Sequence, residues 1–190
     1  LGKIQFEGNA RGDLSEVELY GKTTTDIGSL TTAVKMSDFD SLVSYNGQLQ
    51  LEKFNLGIYY SDDQLGVVST NIHVEGTGLE VSNMDLNFEG DISELGLGEY
   101  VYTKMTSSGR FKNNFFSGKF EIADANAQAK FDGEIDFTQK QPLLNFELNV
   151  NRFDLTAVGL LEDETPAVIA GEFNAHLKGL NSPAMTAGVS

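Results

Sequence analysis

The chain has no cysteine and no tryptophan, three prolines, two histidines, and only 13 Lys and Arg against 28 Asp and Glu. Without cysteine there is no disulfide and no thiolate metal ligand, and thiol usage leaves the compartment open, a periplasmic address included. The shortage of cations leaves a net charge of −15 and a pI near 4.3. That field repels phosphate backbones and anionic membrane surfaces alike. Nucleic acid is a poor partner for it, and contact with lipid has to run through acyl chains rather than headgroup attraction. No stretch approaches the ~18 apolar residues of a spanning helix, and the first residues lack a charged-then-apolar signal pattern. Leu1 is not an initiator methionine and the sequence stops soon after Pro183, so the expectation is a piece of a longer protein.

Catalytic and metal chemistry are also short of parts. His73 and His176 both fall on the polar side of an alternating run, where exposure is the default, and neither belongs to a metal-spaced pair. Asp132, Glu134 and Asp136 share a face, but beside Lys130 they read as a solvated acidic stripe. Asp62-Asp63 and the pair Asp38 and Asp40 read as turn residues. Gly96-Leu-Gly98 lacks the third glycine and the helix of a phosphate cradle. Arg11-Gly12-Asp13, an adhesion tripeptide by spelling, arises easily by chance in a polar turn. The expectation is a non-enzyme with no metal and no cofactor.

What is present is period-two alternation. A glycine leads apolar and polar residues in turn at Gly2 (then Ile4 and Phe6), Gly47 (Leu49, Leu51), Gly118 (Phe120, Ile122), Gly133 (Ile135, Phe137) and Gly171 (Phe173). The alternation is cleanest from Gln128 to Phe137, where Phe131, Ile135 and Phe137 oppose Lys130, Asp132, Glu134 and Asp136. It repeats at Phe146, Leu148 and Val150 after Pro142, at Ile169, Phe173 and Leu177, at Leu86 and Phe88, and at Ile72 and Val74. Each run is a half-buried strand, greasy on one face and wet on the other. Blurred runs at Val17 to Tyr20, Leu30 to Met36 and Tyr100 to Thr106 have the β-propensity of Thr and Tyr without clean alternation.

Polar clusters at Asn9 to Asp13, Ser61 to Asp63, Lys112 to Asn114 and Thr138 to Gln141 suit hairpins between antiparallel neighbours. Asp154 is a candidate N-cap for one or two helical turns over Phe153 to Leu161. No linker divides residues 1–190. A hydrophobic content of 40% with 13 Phe supplies a core, yet no long amphipathic helix is available to cover the strands. The sheet therefore closes on itself as a β-sandwich or offers its greasy face to something apolar. Gly47, Gly90, Gly133 and Gly171 share the phase of the apolar residues, where glycine marks a bend or a close approach. Strands of roughly ten residues span ~33 Å, and bending them near the middle gives a U-shaped trough.

From Phe54 to Gly188 the chain resembles the TamB family, the AsmA-like translocation and assembly module proteins, in particular their Bacteroidota members. The similar phrases are Phe54-Asn-Leu-Gly57, Gln64-Leu-Gly66, Asn87-Phe-Glu-Gly-Asp-Ile92, Gly118-Lys-Phe-Glu-Ile-Ala-Asp-Ala-Asn126, Phe131-Asp-Gly-Glu-Ile-Asp-Phe137, Pro142-Leu-Leu-Asn-Phe146, and Asp154-Leu155 before Gly159-Leu160. Tyr100 to Thr106 and the region before Tyr45 depart from the pattern in carrying polar residues.

The resemblance implies an all-β fold, an elongated, curled antiparallel sheet forming a U-shaped trough with an apolar interior, against the alternative of a closed sandwich serving as a spacer or adhesion module. It implies a periplasmic protein whose parent is anchored in the inner membrane. It also implies phospholipid acyl chains as cargo between the two membranes, or partnership with a TamA-type outer-membrane barrel in protein insertion or secretion. On this expectation the alternating apolar residues named above line the groove, and the four in-phase glycines bend it.

Overall fold

The computed structural model describes residues 2–139, 141–162 and 165–178. Eleven strands follow in chain order: β1 (Gln5–Gly12), β2 (Glu16–Thr25), β3 (Gly28–Ser37), β4 (Ser44–Asn55), β5 (Leu65–Thr77), β6 (Asp85–Leu97), β7 (Tyr100–Lys112), β8 (Phe115–Ala123), β9 (Ala127–Asp136), β10 (Leu143–Asp154) and β11 (Val168–Lys178). They form one antiparallel sheet in the order β1 to β11. The sheet is open, neither a barrel nor the two layers of a sandwich, and strand makes up about 70% of the molecule. At ~4.8 Å per neighbour the sheet runs roughly 48 Å across its strands.

Local chemistry sets the hairpins. Asn113 and Asn114 take φ 52° and 60°, the doubly left-handed pair of a two-residue turn that asparagine tolerates. The first turn sits later than expected. Asn9 to Gly12 stay in β1, and Asp13 closes the turn by accepting from Ser15 N at 2.7 Å and Glu16 N at 3.2 Å. One short helix, α1 (Leu56–Tyr60), starts where Asn55 accepts from Ile58 N and stops at Ser61 in the left-handed region. Strand β10 continues through Phe153, and only then does Asp154 cap a single turn, accepting from Ala157 N at 3.0 Å.

Register shifts cross the sheet at one level. They fall between Leu51 and Phe54 in β4, between Ser69 and Thr70 of β5 where Ser93 is the extra residue of β6, and between Val150 and Phe153 in β10, with a further shift between Leu65 and Val68 toward the end of β5. Lys53 and Lys104 have φ 51° and 53° at this level. Bulges bend strands and tighten their twist. The core gathers along this seam: Met105 is 1% exposed, and Tyr102, Ala127 and Val158 pack with it, with Ile92, Leu95 and Phe153 around them. Val158 reaches the cluster from the β10–β11 connection, so that turn is the one piece of a second layer.

Elsewhere there is little interior. Only eight hydrophobic residues are buried among those described, and the accessible surface is 12374 Å², against roughly 8,900 Å² for a compact protein of this mass. A single layer has no other outcome.

Candidate functional site

Residues directly opposite one another across an antiparallel pair point to the same face, so the register reads out the face from strand to strand. Leu49, Ile72, Gly90, Ser107, Phe120, Phe131, Leu148 and Phe173 stand opposite in turn from β4 to β11. The next row runs Gly47, Val74, Phe88, Gly109, Gly118, Gly133, Phe146 and Ala175. Leu51, Ile122 and Val150 belong to a third row that reaches Gly171, and Leu86, Ile135 and Leu177 to a fourth. Phe6 joins the third row from β1 through Thr23 and Leu30. The structure therefore gathers the strand residues of the expected lining on one face. Ile169 pairs with Phe153 beyond the bulge. Ile4 and Phe137 lie just outside β1 and β9.

The glycines do two different things. At Gly47 and Gly90 a Cβ would lie 2.2 Å from the carbonyl oxygens of Ala33 and Asn71, so these positions let the neighbouring strand close in. At Gly118 and Gly133 the Cβ would meet rings instead, Phe116 Cζ at 2.7 Å and Phe131 Cζ at 2.6 Å. Phe side chains lie down over the glycine gaps and pave the face. Phe88 and Phe116 stack at 6.2 Å between centroids, and Phe131 and Phe146 meet tilted by 30° at 5.4 Å. Gly171 is relaxed, its Cβ position 3.5 Å from the Phe173 ring. The ladder is unbroken at Gly47, Gly90 and Gly133, and the register shifts lie in the bulge seam instead.

Most of the paving is half-buried by its own neighbours, and it opens toward the sheet edges, with Phe6 70% and Phe173 43% exposed. The hollows of the surface lie on the other side. A concavity of about 720 Å³ is lined mostly by polar-face residues, Gln48, Asn71, His73, Glu89, Lys119 and Asn149 among them, with Gly90, Ser107, Phe120 and Phe131 of the first row also contributing. The polar face is stitched by ion pairs: Asp85 with Arg110 at 2.8 Å and Lys112 at 2.6 Å, Lys119 with Asp132, and Lys130 with Glu121. Arg110 first and Lys112 second hold the Asp85 carboxyl far below the usual carboxylate range.

His73 meets Gln48 at 3.4 Å and His176 is exposed. Among the described residues no three His, Asp or Glu converge as metal ligands. The apolar face offers chiefly hydrocarbon and aromatic contact, with Ser107 and Thr23 as hydroxyl positions in its rows.

Compared with protein-family models, curated proteins and solved structures, the chain matches none.

Sequence reasoning missed Phe111 and Phe116, which complete the fourth row, and it missed a repeat. Leu49-Gln-Leu-Glu-Lys-Phe-Asn-Leu56 and Leu148-Asn-Val-Asn-Arg-Phe-Asp-Leu155 align residue for residue. Both carry the bulge before Phe and an Asx cap after it, Asn55 to Ile58 N and Asp154 to Ala157 N. Comparing the chain with itself reveals the signal.

Proposed function

We propose that this sheet is a lipid-handling surface on which acyl chains lie and slide. The observation that carries the reading is the single apolar face, continuous in register from strand to strand and left without a covering layer. Each methylene moved from water onto such a face gains up to ~0.8 kcal/mol. Contact without directed hydrogen bonds lets the chain move on rather than lodge. With the resemblance to TamB-type proteins, the cargo is phospholipid, the setting is the periplasm between two membranes, and the terminal partner is a TamA-type barrel.

The test is loading of a fluorescent fatty-acyl probe, with Phe131→Glu and Phe146→Glu as variants. The expected result is at least a tenfold loss of binding with folding retained by circular dichroism. Unchanged loading in both variants refutes the reading. A second reading, strand addition by an unfolded outer-membrane protein, is favoured by the outer edge of β1, whose residues are all exposed. Under it the same substitutions leave peptide binding intact.

A further inference from the structure

Charge is segregated in this fold. The connections between strands form the two long rims of the apolar face, and among the described residues their charged side chains are acids. On one rim stand Asp13, Asp38, Asp40 and Glu80; on the other stand Asp26, Asp62, Asp63, Glu99, Glu162 and the buried Asp124. No connection carries Lys or Arg among the described residues. Among the described residues every Lys and Arg but Lys3 lies inside a strand. Eight of these are tied to acids within the sheet, Lys22, Lys35 and Lys53 among them. The rim acids are freer: Asp40, Asp63, Glu99 and Glu162 are exposed, and none of them forms an ion pair among the described residues.

An amphiphile whose chain lies on the apolar face must put its head over a rim, where the nearest fixed charges are unpaired carboxylates. Resting on the acyl-chain reading above, we infer that the cargo is an amphiphile with a cationic group in its head, an amine-bearing lipid. Anionic-headed lipids are turned away. The rim apolar residues Leu14, Phe39 and Leu79, between 40% and 95% exposed, sit next to Asp13, Asp38 and Glu80. Each such pair matches an amphiphile with its positive head close to its chain. A unit charge ~10 Å from two or three such acids in water gains roughly fivefold in affinity.

The test displaces a fluorescent acyl probe with three single-chain amphiphiles of equal length, below their micellar concentrations: hexadecyltrimethylammonium, palmitoyl lysophosphatidylethanolamine and palmitoyl lysophosphatidylglycerol. At low salt the expected order is cationic, then zwitterionic, then anionic, with the ends at least ~5-fold apart. In ~1 M salt, where the screening length is about 3 Å, the order collapses. Neutralising Asp40, Asp63, Glu99 and Glu162 to their amides flattens the order at low salt. The matched polar-face set Glu75→Gln, Glu89→Gln, Asp91→Asn and Glu147→Gln leaves it in place. Equal displacement by all three, or equal flattening by the polar-face set, overturns the inference while the acyl-chain reading stands. Binding that ignores Phe131→Glu sinks the acyl-chain reading itself.

Discussion

Replacing Asp124 with asparagine removes one charge from the most enclosed polar site in the sheet. Asp124 is 4% exposed. Its carboxylate accepts from the Tyr100 hydroxyl, from Thr103 Oγ1 at 2.6 Å and Thr103 N at 3.1 Å, and from Asn126 N at 2.9 Å. It ties β7 to the β8–β9 turn beside the core seam. Asparagine keeps the shape but turns one acceptor into an NH₂ that confronts donors. A hydrogen bond to a charged group contributes about 1.5–3 kcal/mol, so losing one and leaving a donor unmet costs about 2–4 kcal/mol. That is a large share of the 5–15 kcal/mol typical of a domain.

The pH dependence carries a sign. Burial alone raises the Asp124 pKa, but the hydroxyls of Thr103 and Tyr100 and the N–H groups of Asn126 and Thr103 outweigh it, and the net shift is downward. A lowered folded pKa means the carboxylate's contribution is complete above the unfolded value, ~3.9. It drains as pH falls through the lower folded value. Urea unfolding at several pH values therefore shows wild type and Asp124→Asn furthest apart near neutrality and converging toward pH 2, with unchanged m-values. A gap under about 0.5 kcal/mol at pH 7, or one constant across the range, refutes the account.

Met105→Ala removes a side chain only 1% exposed and is expected to cost about 2–5 kcal/mol in urea unfolding; Phe173→Ala, 43% exposed, costs markedly less. Gly47→Ala forces a Cβ to within 2.2 Å of a neighbouring carbonyl oxygen and lowers the melting temperature by several degrees. Gly171→Ala meets only the Phe173 ring at 3.5 Å and is neutral or slightly stabilising, because it also restricts the unfolded chain. Equal effects from the two alanines contradict the close-approach reading of Gly47.

Much of the sheet is legible in the sequence because period two survives wherever a strand is regular. In β9 and β10 the alternation from Ala129 to Ile135 and from Leu144 to Val150 maps directly onto one face. It fails at the bulges, for a definite reason. Around Lys104, φ 53°, the buried residues Tyr102 and Met105 are three apart rather than two, so Tyr100 to Thr106 reads as blurred although it supplies the core. The same slip hides Phe54 behind Lys53 and Phe153 behind Arg152. Helix α1 escapes because five residues carry no period, only the cap at Asn55. The glycines were legible as gaps in the apolar rows, but not what fills them, since a ring lying over Gly133 comes from Phe131 two residues earlier on the same strand.

An open single layer is a peculiar way to spend 190 residues unless the uncovered face has work to do. Each strand is held by its neighbours' ladders, as in repeat folds whose stability is a sum of nearest-neighbour terms, and among the described residues the core cluster lies along the bulge seam. The paving of Phe88, Phe116, Phe131 and Phe146 stands outside that core, so an occupant is able to arrive and leave without unfolding anything. Had the face been closed by a second sheet, the same residues would have been committed to the fold and unavailable for exchange. On the proposed reading, separating the part that folds from the part that binds is what a conduit requires, because cargo has to be replaceable at every position along it. On the same reading the acidic rims add a filter at the edges while leaving the floor smooth.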